Sequence, residues 1–249
     1  MTLTSALPAP FSLTRLDSVG STNDEARRLA SSDAAADLLV VSARTQSAGR
    51  GRRGRTWVSP SGNLHCSTLI AIDGNLSTAA QLGFAAAVAL VDAFRALVPG
   101  VPFTCKWPND VLAEGRKCAG MLLEPVGANW LILGIGVDVV AAPPPGELVY
   151  PACALADLGF TGTAEDVLAA FCGAFGPLVH IWRSQGFAPI RQAWLERARG
   201  VGEPVVVRLE GETLTGVFAG LDEEGGLLLD HASEGRRRIL AGDVYFPSA

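Results

Sequence analysis

The sequence predicts an α+β protein: an antiparallel sheet with helices against one face, followed by a small β-barrel of about five strands. Three observations predict it. Short apolar, β-branched runs separated by turn residues dominate as far as Val140, apart from one long helical segment. Residues 164–200 then carry helical spacing, and near Gly202 the pattern switches to short strands broken by Gly, Asp and Glu. With 249 residues, 49% of them hydrophobic, the chain can bury a core in a domain of about 200 residues plus an appendage. The division falls between 1–202 and 203–249.

In order, "FSLTRLDSV" reads as an opening strand and "GSTNDEARRLAS" as a helix from about Asn23 to Ser32. Ser21, Thr22 and Asn23 can cap that helix ahead of Asp24 and Glu25. "DLLVVSART" fits a buried strand that delivers the chain into the loop "QSAGRGRRGRTW". "NLHCSTLIAI" is a further strand, and "LSTAAQLGFAAAVALVDAFRALV" a long helix stopped by Pro99-Gly100. "VPFTCKW" is a strand broken at Trp107-Pro108, because proline disfavours helix before it and cannot donate to a ladder. "AEGRK" marks a turn, and "CAGMLLEPV" with "NWLILGIGVDVV" forms a hairpin across Gly127-Ala128. A proline-rich excursion, "AAPPPGELVYPA", leads to the last two helical segments.

A formal charge of -5 lacks the footprint of a protein that grips nucleic acid through its phosphates. Five scattered cysteines and three scattered histidines support neither a disulfide framework nor a zinc site. The N-terminus has no basic residue before Arg15, and the apolar run "LGFAAAVALV" ends at Asp92, short of the roughly 20 residues a membrane span needs. A soluble, cytoplasmic protein without a membrane partner is the expectation.

Three stretches could carry chemistry. The loop packs Arg50, Arg52, Arg53 and Arg55 among Gly49, Gly51 and Gly54. Its glycines resist regular structure and its like charges repel, so it should be mobile until an anion orders it. Guanidinium forks and exposed amides suit a polyphosphate, although such loops also serve as solvated linkers. "KWPND" and "GRKCAG" bring Lys106, Asn109, Asp110 and Lys117 to one strand end. Asp110 there could hold a metal on phosphate oxygens or merely cap the turn. Gly134 and Gly136 share one strand face and offer a flat floor, or mark a bulge.

In this order, "GSTNDEA", "QSAGRGRRGRTWVSPSGNL", "KWPNDV", "GRKCAGMLLE" and "LGIGVDV" resemble the catalytic domain of biotin protein ligase, also called biotin–acetyl-CoA-carboxylase ligase. They cover much of Gly20 to Val139. The resemblance implies a class II aminoacyl-tRNA synthetase-like sheet, antiparallel to mixed with flanking helices, and a small C-terminal SH3-like barrel. About ten residues precede the first strand, so the winged helix-turn-helix of the family's regulatory members, and with it a DNA partner, is not expected.

By that resemblance Ser21, Thr22, Asn23 and Gln46 line a biotin ureido pocket, and Arg50, Gly51 and Arg52 close over the ligand. Lys117 contacts the biotin carboxylate and the adenylated phosphate, while Gly134 and Gly136 lie under biotin. Arg52, Arg55, Trp57, Asn109 and Lys117 face the nucleotide, with Trp57 able to stack on adenine. Lys117, Arg52 and Asp110 form the catalytic set, and Asp110 sits near magnesium. The implied substrates are biotin and ATP with Mg²⁺, and the implied acceptor is a lysine of a biotin carboxyl carrier protein. Asp138 stands where the family often has asparagine. A lipoate or octanoate ligase is the nearest rival, disfavoured by the polar Ser-Thr-Asn triad opposite Gln46. An exposed sheet edge could support a homodimer.

Overall fold

The computed structural model describes residues 7–74, 76–144 and 150–247. The chain runs β1 (Ser12–Val19), α1 (Thr22–Ala30), β2 (Leu39–Gln46), β3 (Leu64–Ala71), a single turn α2 (Leu76–Ala79) and α3 (Leu82–Leu97). It continues through β4 (Phe103–Lys106), β5 (Asp110–Ala113), β6 (Arg116–Val126), β7 (Trp130–Val137), α4 (Ala164–Gln185) and α5 (Phe187–Leu195). Five strands follow: β8 (Pro204–Arg208), β9 (Thr213–Leu221), β10 (Leu227–His231), β11 (Gly235–Ile239) and β12 (Asp243–Tyr245).

The first seven strands form one sheet in the order β1-β2-β3-β7-β6-β5-β4. β1 and β2 are parallel and the other neighbours antiparallel. The sheet is therefore mixed, because α1 is a crossover that returns the chain in the direction of β1. The helices do not all lie on one face, which corrects the expectation drawn from the strand pattern. Alternation along β2 shows why. Val40 faces the main core with α3 and α4, whereas Leu39 and Val41 face the other side, where Ala26 and Leu29 of α1 cover them together with Leu69 and Ile132.

α3 is apolar on all sides and is buried from Leu82 to Val91, as a helix wedged between a sheet and other helices must be. The long helix expected from Leu76 onward is divided between α2 and α3 near Gln81. By length and composition Leu76–Leu97 and Ala164–Gln185 could each cross a membrane, contrary to the estimate from the apolar run alone. Leu76–Leu97 is mostly buried in the core, whereas Ala164–Gln185 packs one face on it and leaves the rest partly or fully exposed. α4 opens with a capping box: Asp166 N–H donates to Thr163 Oγ1 at 3.2 Å, and Thr163 N–H donates to Asp166 Oδ2 at 2.8 Å.

β5 was not expected as a strand, since Pro108 interrupts the pattern; it pairs with β4 through the Trp107-Pro108-Asn109 corner, with Lys106 opposite Asp110. The five C-terminal strands form a second, antiparallel sheet in the order β11-β10-β9-β8-β12. It docks on the helices through Trp194, which meets Phe84 at 5.5 Å and Phe218 at 6.4 Å between ring centroids. Trp107 Nε1 donates to Gly225 O at 3.1 Å across the same seam. This docking swings β12 to the rim of the larger sheet.

Asn63 fastens the chain leaving β7. Its Oδ1 accepts from the amides of Val139, Val140 and Ala141 at 3.0, 2.9 and 3.2 Å, and its Nδ2 donates to Ala141 O at 2.7 Å. Asn63→Ala strands the buried Val139 amide and frees those of Val140 and Ala141, and should cost about 1–3 kcal/mol in urea denaturation. A loss under about 1 kcal/mol would mean that the amides find other partners.

Candidate active site

A cavity of about 700 Å³ opens over the β6–β7 ladder, walled by α1, the end of β2, the arginine loop, the β4–β5 corner and β12. Every site residue expected from the sequence lines it: Ser21, Thr22, Asn23, Gln46, Arg50, Gly51, Arg52, Arg55, Trp57, Asn109, Asp110, Lys117, Gly134 and Gly136. Their order in space follows the register of the ladder. Gly134 pairs with Leu122, and two residues further on Gly136 pairs with Gly120.

At the Gly134 end the surface is polar, and the charges beside it, Glu124 with Arg27 and Arg50, are paired. Ser21 is the N-cap of α1 by position but makes no capping bond, so the caps expected there are not made by its side chain. Gln46 Oε1 instead accepts from the Thr22 amide at 2.7 Å and from Thr22 Oγ1 at 3.1 Å, while Gln46 Nε2 donates to Ser59 Oγ at 3.0 Å. Asn23 lies on Gly134, donates from Nδ2 to Glu124 Oε2 at 2.9 Å and accepts from Ser67 Oγ at 2.5 Å. A Cβ on Gly134 would collide with Asn23, and one on Gly136 with the Trp57 indole. These glycines thus do not leave an open floor; they let two side chains lie flat on the sheet.

Anions order the arginine loop, but in this structure they are the protein's own. Arg50 makes a bidentate pair with Asp24 at 2.6 and 2.7 Å and reaches Glu124 Oε2 at 3.4 Å. The hydrogen bonds from Arg50 hold Asp24 below the ordinary carboxylate range. Arg55 pairs with Asp243 of β12, which Arg53 approaches at 3.7 Å. Between them Gly51 N–H donates to Arg55 O at 2.7 Å, and Arg53 is left-handed at φ 55, a conformation that costs a non-glycine residue roughly 1 kcal/mol. Arg52 differs from its neighbours. It donates to Asn109 Oδ1 at 3.0 Å, and among the described residues no carboxylate lies within ion-pair distance of it. Partial burial lowers its pKa, offset in part by the charges of Asp243 and Asp110.

Beyond Trp57 the cavity becomes cationic. A bulge in the β5–β6 pairing between Val111 and Leu112 sets Asp110 opposite Gly120 and aims Lys117 at the same point. Asp110 Oδ1 lies 2.6 Å from Lys117 Nζ and its Oδ2 3.1 Å from Lys106 Nζ. Burial alone would raise the Asp110 carboxyl, yet the charges of Lys117 and Lys106 hold it at about 2. Both oxygens are thereby committed to ammonium groups, and no three His, Cys, Asp or Glu side chains converge as a metal set among the described residues. Asp110 does not fit the magnesium ligand it was expected to be. It is the counter-ion of a lysine pair.

Asp138, just past β7, lines the same cavity and is 2% exposed. Asn63 Nδ2 donates to its Oδ1 at 3.2 Å. Burial pushes its carboxyl up to about 7, only partly offset by Lys117. A carboxyl whose folded pKa lies above its unfolded value stabilises the fold fully below the unfolded pKa, near 4, and that contribution is lost as pH rises through about 7. Asp138→Asn should therefore be more stable than the parent above pH ~7.5, by about 1–3 kcal/mol, and equal to it near pH 4. Denaturant midpoints across that range check this, and a pH-independent difference would refute it.

The sequence reading did not single out Ser67, Gly120, Glu124, Tyr150, Asp243 or Tyr245 as site residues. Gly120 and Glu124 were within its grasp: both fall in "CAGMLLE", where alternation along the strand puts them on the face of Leu122. Asp243 and Tyr245 carry no local signal.

Residues 16–138 match the model of the biotin/lipoate A/B protein ligase family, and residues 200–246 match the biotin protein ligase C terminal domain. The biotin--[acetyl-CoA-carboxylase] ligase of Paracoccus denitrificans is 42% identical over 236 residues, covering 91% of this chain and 97% of that one. The bifunctional ligase/repressor BirA of Bacillus subtilis is 33% identical over 92% of this chain and 72% of its own. Among solved structures, the biotin protein ligase of Aquifex aeolicus in complex with biotin and ATP superposes with a TM-score of 0.82 at 29% identity, covering 94% of this chain and 97% of that one. The chain belongs to the biotin protein ligase family.

Proposed function

We propose that the protein activates biotin with ATP to biotinyl-5′-AMP and transfers the biotinyl group to a lysine of a biotin carboxyl carrier protein. One observation supports the assignment of groups: the cavity passes from hydrogen-bonding side chains, beside which Arg50 is paired with Asp24 and Glu124, to a triplet of cations, Lys106, Lys117 and Arg52. A molecule with a ureido head at one end and a carboxylate at the other matches that polarity. Ser21, Thr22, Asn23 and Gln46 take the head, and Lys117 and Arg52 take the carboxylate and the α-phosphate. Arg55, Trp57 and Asn109 lie towards the nucleotide. A magnesium ion would enter on the phosphates of ATP, retaining its waters.

The chemistry follows from charge. A carboxylic acid with a pKa of about 4.5 is already ionised at neutral pH, so adenylation needs no base. The obstacle is bringing one anion against another. Attack by a carboxylate oxygen on the α-phosphorus expels pyrophosphate, and fixed cations that meet the growing charge contribute roughly 3–4 kcal/mol each in comparable sites. The acceptor amine then attacks the acyl carbon and AMP leaves. We read residues 1–202 as the catalytic region, class II synthetase-like, and 203–249 as an SH3-like unit. Five buried, unpaired cysteines suit a cytoplasmic protein. The outer edge of β1, which pairs with no other strand among the described residues, is where a second copy could add a strand.

Biotin-dependent exchange of pyrophosphate into ATP tests the reading; exchange driven equally by lipoate would refute it. Lys117→Ala should slow that exchange about 100-fold or more while melting within a few degrees of the parent. Near-normal exchange would remove Lys117 from the mechanism. Arg52→Ala should release biotinyl-5′-AMP faster, read as biotin appearing on lysines of bystander proteins, and unchanged leakage would count against the clamp.

A further inference from the structure

We propose that Asp243, on the last strand of the small sheet, is a positioning residue that sets the arginine loop for the reaction. The small sheet is thereby a working part of the site. The inference rests on the ligase reading of the cavity, but its first observation does not. Asp243 receives Arg55 and is approached by Arg53 at 3.7 Å, and its own side chain is only 17% exposed. The strand that carries it is held by pairing with β8, Asp243 opposite Arg208 and Tyr245 opposite Val206, and the Arg208 guanidinium lies 4.3 Å from the centroid of the Tyr245 ring. The carboxylate is thus presented from a fixed ladder. The loop has no such ladder: one bridge, Arg50 to Thr56, closes it.

The geometry gives this anchor a specific consequence. Arg50 is tied to α1 and β6 at the near end, and Arg53 and Arg55 to β12 at the far end. Arg52, between the two ties, is left facing Asn109 and the cavity. With the far tie cut, three mutually repelling guanidinium groups are free to rearrange, and Arg52 loses its fixed aim. Asp243 also lines the cavity, but its ion pairs are with the loop, and through the loop it sets Arg52.

The test compares Asp243→Asn, Asp243→Ala and Asp243→Glu in the full chain. In ligand-free protein, amide exchange of residues 52–56 should accelerate about two- to fivefold in the Asn and Ala variants, the span an ion pair of this exposure supports, and recover in the Glu variant. Release of biotinyl-5′-AMP should rise and the KM for ATP should increase by similar factors, with kcat for adenylation changed less. Arg53→Ala added to Asp243→Ala should change nothing more. Unaltered loop exchange would overturn the proposal, as would acceleration spread evenly over β8–β12, which marks general loosening of the small sheet. A lowered KM for ATP would overturn it too, because Asp243 would then compete with phosphate. If loop exchange responds as expected while the parent shows no biotin-dependent pyrophosphate exchange, the anchor stands and the ligase reading falls.

Discussion

Everything in the cavity depends on one carboxylate held between two ammonium groups. Lys106 and Lys117 come from strands on either side of β5, and both are drawn out of bulk water at its N-terminal end. Without Asp110 they would repel across a few ångströms in a medium where charge is poorly screened. With it, the cluster carries a net positive charge in a fixed place. That surplus is what an incoming anion meets. Because Asp110 stays ionised down to about 2, the arrangement persists at every physiological pH.

The loop is governed by weaker versions of the same force. Its carboxylate partners are reached by guanidinium groups that remain 36% to 51% exposed, and pairs of that kind are worth about 0–1 kcal/mol each. They are strong enough in sum to offset the left-handed Arg53 and the repulsion among four arginines, yet weak enough for phosphate oxygens to compete with any one of them. A loop tied by one strong bond would be either locked or loose; several weak ties let it be ordered beforehand and still adapt. Arg52 stands outside this set: its hydrogen bond goes to the Asn109 amide oxygen rather than to a carboxylate.

What the sequence disclosed tracks how local each determinant is. The strands Ser12–Val19, Leu39–Gln46 and Leu64–Ala71 could be read because their apolar runs are bounded by turn residues, and the loop, Lys117 and the Gly134/Gly136 pair because their chemistry is concentrated in a few adjacent positions. The side of the sheet taken by α1 could not, since it is decided by the handedness of the β1–α1–β2 crossover rather than by the helix itself. β5 was hidden by Pro108, and the double engagement of Asp110 by a bulge that exists only once β5 and β6 pair. Asp243 opens a three-residue strand with no distinctive sequence pattern, and only the docking of the second sheet through Trp194 brings it 188 residues back to Arg55.

The Gly120–Gly136 pair explains why two such different ends of a cavity can be built on one ladder. Glycine inside a strand weakens it by roughly 0.5–1 kcal/mol. Here the missing side chains admit the Trp57 indole from the loop, while a Cβ on Gly120 would lie 3.0 Å from Lys117 Nζ and 3.2 Å from the Trp57 ring. The ammonium rests 5.4 Å from the indole centroid, within reach of its electron-rich face. The indole thereby fills the space over Gly136 and Gly120, between the lysine pair and the groups around Asn23. The loop that brings the arginines therefore also brings the wall that stands against the Lys117 ammonium. One segment thus supplies both the arginines and the indole that packs beside the lysine pair.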